Sequence, residues 1–219
     1  MYWQENNNES YQIPDDVIDI QLQIKAPTLP VDHAWDLQQA IQKELPWFTE
    51  QQSNNGLHLI HTADTGNGWE RPSDPDALLH LSKRTKLVLR IPKESIEALN
   101  TLLGKTLDIA GHSLTIEKAK IRPLAITSIV FSRYIAVDPE QPENDFINNV
   151  VDYLKSHRLG FQKILAGMQH QIRIPEGIVH TRSLMIADLT HEDAVYLQQT
   201  GYGKYRTLGC GLFIPQKTM

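Results

Sequence analysis

Nine histidines are the residues of this chain best suited to move protons near neutral pH, because an unperturbed imidazole titrates there. His33 directly follows Asp32 at the start of a predicted helix. A helix N-terminus attracts phosphate and disfavours the imidazolium, which leaves a neutral ring able to accept a proton beside a bound phosphate. A surface histidine in the first turn of a helix reads the same way in sequence. His58 and His61 fall on one predicted strand, where a spacing of three sends their side chains to opposite faces and argues against a shared metal. His180 precedes Thr181, Arg182 and Ser183 in a predicted hairpin and could line a ligand path. His80, His112, His157, His170 and His191 read as turn or surface residues. There is no H-E-x-x-H, no cysteine-based zinc pattern and no phosphate-binding Walker loop. His80-Leu81-Ser82 is the single H-x-[ST] match, and a two-histidine phosphoesterase needs a pair. The expectation is a site with no metal and no cofactor.

A second group suits phosphate rather than proton transfer. The segment from Gly201 to Pro215 carries Gly201, Gly203, Gly209 and Gly211 between a predicted helix and a predicted strand. A loop of exposed N–H groups with Lys204 and Arg206 inside it would suit a phosphodiester backbone, and Tyr202 and Tyr205 could stack on bases. A plain glycine turn capped by Gly201 is the other reading. The order helix–glycines–strand is the reverse of a dinucleotide fingerprint. Trp69 and Arg71, in the turn-rich run from Gly66 to Pro72, could stack on a base and grip a phosphate, or Trp69 could anchor the loop to the core. Lys83, Arg84 and Lys86 lead into a strand and could track a nucleic-acid backbone, or form a solvated charge run. Arg173 and Arg182 fall on a predicted hairpin able to meet an RNA stem.

The overall net charge of -5 argues against nucleic acid, but its distribution does not. Residues 1–80 hold 3 Lys/Arg and 13 Asp/Glu, whereas residues 81–133 hold 10 and 4 and residues 160–219 hold 6 and 4. An acidic first third and a basic middle can leave one face fit to meet phosphates.

The elements that must position these residues follow from periodicity. Val17 to Lys25 alternates apolar and polar residues, as a half-buried strand does. Asp32 is a good N-cap for a helix to Leu45 with Ala34, Leu37, Ala40, Ile41 and Leu45 on one stripe. A strand is predicted over Leu57–Ala63, a loop over Asp64–Ala77, a strand over Lys86–Ile91, a helix over Lys93–Leu103 and a hairpin over Thr106–Ile116 turning at Ala110-Gly111. The order then repeats. A strand over Ala125–Val137 precedes a helix over Glu143–Leu154, a short strand over Phe161–Leu165 and a hairpin over Gln171–Leu189. A helix opened by a Thr190/Asp193 capping box and a strand over Leu208–Ile214 complete it. This is an α+β chain of two tandem ferredoxin-like (βαββαβ) domains with a C-terminal glycine-rich loop. The first is expected over residues 1–120 and the second over 121–219, with the linker between Lys118 and Leu124.

A chain of 219 residues suits two such units. No apolar run is long enough to span a bilayer, and residues 1–16 have neither the basic nor the apolar region of a secretory signal. The lone Cys210 fits a reducing compartment. A cytoplasmic location without membrane association is therefore expected.

Tandem ferredoxin-like units ending in G-x-G-x-x-x-x-x-G-x-G resemble the repeat-associated mysterious protein superfamily of CRISPR systems. Within it the chain resembles the CRISPR-associated protein six family, its MYXAN-subtype branch in particular. The segments that carry this likeness are PVDHAW at 30–35, GNGWERP at 66–72, LSKRTKLVLRIP at 81–92, HTRSLMIADL at 180–189 and LGCGLFIP at 208–215. The likeness runs from about residue 17 to the end. It implies an endoribonuclease that matures guide RNA by cutting CRISPR repeat RNA, with His33 as the catalytic histidine and no metal. RNA supplies its own nucleophile. A base takes the 2′-OH proton, the oxygen attacks phosphorus, and the products are a 2′,3′-cyclic phosphate and a 5′-OH. The resemblance implies repeat RNA, both precursor and product, as partner, and allows other CRISPR effector subunits. Two alternatives stay open: a non-catalytic RNA-binding subunit, and an unrelated ferredoxin-like protein that binds a small ligand or a protein.

Overall fold

The computed structural model describes residues 11–50, 55–62, 72 and 74–216. Trp69 and Arg71, in the loop expected over Asp64–Ala77, lie outside the described residues.

The first half is built on β1 (Val17–Lys25), whose Ile18, Ile20, Leu22 and Ile24 alternate into a core and leave the intervening residues on the other face. After the short β2 (Thr28–Pro30), helix α1 (Ala34–Glu44) lays Leu37 and Ile41 over that core. A short α2 (Trp47–Glu50) follows, then β3 (Gly56–His58), β4 (Leu78–His80) and β5 (Lys86–Pro92). Beyond a four-residue α3 (Ile96–Leu99) come β6 (Thr106–Ile109) and β7 (His112–Arg122). The sheet runs β3-β5-β1-β7-β6, antiparallel throughout. With β6 set aside as an added edge, that is the ferredoxin-like order. Strands β2 and β4 form a separate two-stranded ribbon that the sequence pattern did not reveal.

The second half repeats the plan with β8 (Ile129–Ala136), α4 (Glu143–Ser156), β9 (Lys163–Ile174), β10 (Gly177–Ala187), α5 (His191–Thr200) and β11 (Ile214–Pro215). Its sheet order, β11-β8-β10-β9, is the ferredoxin-like order without an addition. The two tandem ferredoxin-like units read from periodicity are therefore present.

Several boundaries differ, each for a physical reason. The cap of α1 is His33, not Asp32, and makes no side-chain cap hydrogen bond; the Asp32 carboxylate instead accepts the Arg173 backbone N–H at 3.1 Å. The strand expected to reach Ala63 stops at His58, because Leu59 turns away to pack with Tyr134, Val179, Leu208 and Cys210 between the two sheets. The expected helix over 93–103 is three short turns. Thr101 draws its hydroxyl back to the Ala98 carbonyl at 2.9 Å, a bond that competes with regular helix. Strand β7 runs on through Arg122, so the boundary expected at 120/121 falls inside it and the connection to β8 is 123–128. Phe161–Leu165 is no separate strand; β9 pairs with β10 as one long hairpin. The last strand shrinks to two residues behind a 3-10 turn over Arg206–Leu208.

The halves are pinned by Arg90, fully buried in β5. It donates from Nε and Nη2 to the two Asp19 carboxylate oxygens at 2.8 and 3.0 Å, within the first sheet. Its Nη1 reaches the carbonyls of Gln198 and Phe213 at 2.6 and 2.8 Å, in the second half. Gln198 in turn holds the connection, giving and taking hydrogen bonds with the Ala125 backbone at 2.8 and 3.1 Å.

Candidate RNA-processing site

The helix-free face of the second sheet meets the first half along a seam of Ala34, Leu59, Tyr134, Ile172, Val179 and Cys210. His33 lies behind this seam. The residue is 2% exposed, Nδ1–H donates to the Pro30 carbonyl at 2.8 Å, and Nε2 accepts the Ile60 backbone N–H at 3.1 Å. Those two bonds define one neutral tautomer. Both ring nitrogens are thus engaged within the protein, and the ring is not presented to a phosphate as expected. Nε2 becomes a proton acceptor for substrate only by giving up Ile60.

Strand alternation would send His58 and His61 to opposite faces. Because β3 ends at His58, alternation no longer applies, and both line one cavity of about 130 Å³ with Arg133, Tyr134 and Gly209. His61 stacks on Tyr134 with ring centroids 5.9 Å apart, and Tyr134 meets His170 edge-on at 5.5 Å. His170 opens onto a groove of about 470 Å³ between the halves. Neither Arg133 nor Tyr134 stands out in the sequence. The irregular β8–β10 register near Arg182, which brings them to the seam, leaves no periodic trace.

Beneath the cavity, His58 Nε2 stands 3.7 Å from the Asp19 carboxylate. Burial would raise the Asp19 carboxyl, but the Arg90 charge, with the nearby His58 ring and the Arg90 hydrogen bonds, outweighs it and holds the group far below the usual carboxylate range. Burial dominates at His58 and lowers it despite Asp19, so that ring is neutral.

The glycine-rich segment departs most from expectation. Arg206 is buried and spends its guanidinium on the carbonyls of Asn55 at 3.3 Å, Gln199 at 2.9 Å and Thr200. Burial, then the nearby Arg90 charge, lowers it to about 10. Gly201, Gly209 and Gly211 are also buried, and their N–H groups go to the carbonyls of Leu197, Arg206 and Tyr134. A Cβ on Gly209 would come within 2.5 Å of the Leu59 side chain. The segment is thus an internal clamp, and the assignment of Gly201, Arg206, Gly209 and Gly211 to RNA contact is corrected: the backbone donors face inward. Only the tip stays out. Gly203, Lys204 and Tyr205 are exposed, with Tyr205 in the left-handed region at φ 65°, an uncommon conformation for a bulky residue. The tip borders a groove of about 870 Å³ that also holds His180 and Asn149.

The remaining cations divide. Arg182 is 9% exposed and paired with Glu143, which corrects its expected place on an RNA-facing surface. Arg173 is exposed but bound to Asp76 at 2.8 Å, with Asp32 beside it at 3.9 Å. Lys83 and Arg84 stand exposed in the turn before β5.

Comparison with known proteins places these features in a family. The profile described as "Cas6 Crispr" matches residues 18–218. The chain is 27% identical over 199 residues to the CRISPR-associated endonuclease Cas6 of Myxococcus xanthus (strain DK1622), covering 90% of this chain and 81% of that protein. Among solved structures, a CRISPR-associated protein Cas6 superposes with a TM-score of 0.65 at 15% identity, covering 92% of this chain and all of that one (100%). A structure titled "An RAMP protein binding different RNA substrates" superposes at 0.62 with 12% identity, covering 91% of this chain and 100% of that one. At such identities these likenesses establish the fold. No helix among the described residues is long and apolar enough to cross a membrane.

Proposed function

Since the chain belongs to the Cas6 family, we propose that it is a metal-independent endoribonuclease that cuts CRISPR repeat RNA into mature guide RNAs by 2′-OH attack. The observation that carries this reading is the family match over residues 18–218. The neutral His33 tautomer supports His33 as the base. RNA entering the seam would exchange the Ile60 N–H on Nε2 for the 2′-OH, which frees the acceptor when substrate is present. Lys83, Arg84, Arg173, Gly203 and Lys204 are the exposed groups assigned to RNA backbone, with Trp69 and Arg71 as further candidates. Repeat RNA is the partner; other CRISPR effector subunits and a cytoplasmic location belong to the same proposal.

One observation favours a rival. An imidazole already bonded through both nitrogens suits a family member that holds RNA without cutting it. Incubating the protein with repeat RNA in EDTA separates the two readings. Cleavage to cyclic-phosphate and 5′-OH ends, lost in His33→Ala and with a 2′-deoxy nucleotide before the cut, supports the enzyme. Tight binding without product supports the rival.

A further inference from the structure

We infer that the cavity bounded by His61, Arg133 and Tyr134 receives the scissile phosphate, with His61 as the general acid and Arg133 as the charge that stabilises the transition state. This deepens the endoribonuclease reading and rests on it. Proton transfer to the leaving oxygen needs a second titratable group close to the base. Ile60 donates to His33 Nε2, and His61 is the next residue, so the second imidazole is carried by the same backbone segment that holds the first. His33 lies behind the seam, whereas His61 is half-buried at the cavity wall. Stacking on Tyr134 at an interplanar angle of 27° fixes its ring plane. The alternative, His58, faces the Asp19 carboxylate at 3.7 Å, whose oxygens both accept from Arg90.

The cavity suits an anion. Its volume of about 130 Å³ suits one phosphate group rather than a base. Arg133 reaches it while lying over the Phe131 ring at 5.7 Å. Among the described residues Arg133 pairs with no carboxylate, unlike Arg90, Arg173 and Arg182. The glycine clamp supplies the far wall through Gly209, which gives the buried glycine segment a role beside the reacting group without contact through its N–H donors.

The step balances without water or redox change. The base takes the 2′-OH proton as the 2′-oxygen bonds to phosphorus. The bond from phosphorus to the 5′-oxygen breaks, its electron pair leaves on that oxygen, and the His61 imidazolium supplies the proton. Arg133 bears on the phosphoryl oxygens, where charge builds.

The test is single-turnover cleavage of two repeat RNAs, one with the natural 5′-oxygen at the mapped cut and one with sulfur in its place. Sulfur leaves without a proton, so loss of an acid is rescued while loss of a structural residue is not. His61→Gln is expected to slow the oxygen substrate about 100-fold or more and the sulfur substrate by less than about tenfold, with repeat-RNA affinity and melting temperature near wild type. Arg133→Ala is expected to slow both about 100-fold, with Arg133→Lys recovering part. Wild-type rates in His61→Gln, or equal slowing of both substrates, would overturn the assignment. Failure of both His61→Gln and His61→Ala to fold would do the same, by making the residue structural. Failure of the wild type to cut the oxygen substrate sinks the endoribonuclease reading itself, a result separable from all of these.

Discussion

The Ile60 backbone N–H points at Nε2 of His33 across 3.1 Å. A residue of the seam segment thus occupies the nitrogen that the chemistry would need. Replacing His33 with Ala therefore does two things. It removes the base, and it orphans a buried N–H at a cost of about 1–3 kcal/mol. We expect His33→Ala to lose cleavage about 100-fold or more and to lower the melting temperature. His33→Gln, which keeps an acceptor, should recover part of the stability and none of the activity. Equal activity in His33→Gln and wild type would remove His33 from the mechanism.

Arg90→Ala should be among the most destabilising single changes. It leaves the Asp19 carboxylate without its partner and strips the Gln198 and Phe213 carbonyls of their donor. Breaking a buried pair from one side costs about 3–5 kcal/mol. Urea unfolding measures it, and a loss under about 1 kcal/mol would show the pin to be unimportant.

Acid should weaken the fold in two stages. His58 has a lowered folded pKa, so its contribution is complete above the unfolded value of about 6.5 and declines as pH falls through it. Asp19 is also lowered, so its contribution is complete above about 3.9 and declines below that. His58→Gln should flatten the stability profile between about pH 6.5 and 4 while keeping the steeper fall beneath. An unchanged profile in that window would show that another group sets it.

Lys83 and Arg84 are assigned to RNA backbone and, among the described residues, form no ion pair with a carboxylate. Replacing both by Ala should reduce the salt slope of repeat-RNA binding by about 1.4–1.8, some 0.7–0.9 for each phosphate that is no longer neutralised. Stability should change by less than about 0.5 kcal/mol, as for exposed sites generally. An unaltered slope would take the turn before β5 off the RNA path.

Two glycines of one loop should respond differently. Gly209→Ala puts a methyl within 2.5 Å of Leu59 at a φ of 99°, a strained backbone combined with overpacking, and should cost more than about 2 kcal/mol. At Gly203 the nearest atom would be 3.9 Å away, so Ala there carries only the backbone penalty of about 1–2 kcal/mol. Thermal unfolding of the pair distinguishes a clamp from a flexible loop, for which the two would match.

Elements with strong periodicity are readable because local sequence and burial agree. The alternation of β1, the stripe of α4 and the Thr190 cap of α5, whose hydroxyl accepts the Asp193 N–H at 3.1 Å, are examples. The end of β3 is not readable, since Leu59 obeys a cluster formed by the other half of the chain. The glycine segment misleads for a related reason: glycines reveal backbone freedom, not whether the freed N–H groups face out or in. Arg90 reads as one charge in an apolar strand. Its partner Asp19 lies 71 residues away, and the only local hint is that both interrupt strands on positions facing away from the helices.

The Arg90 pin also limits how the protein can accommodate a long polymer. One guanidinium joins two carbonyls of the C-terminal unit, those of Gln198 and Phe213, to a carboxylate of the N-terminal one, and prising the units apart would break these buried charge-assisted hydrogen bonds. Swinging the lobes like a pair of jaws is thus the costly way to admit a strand. The cheap way leaves the scaffold still and rearranges what lines the seam, with Arg173 exchanging its carboxylates for phosphates and Ile60 releasing an imidazole. Selectivity would then lie in small local trades rather than in a change of overall shape.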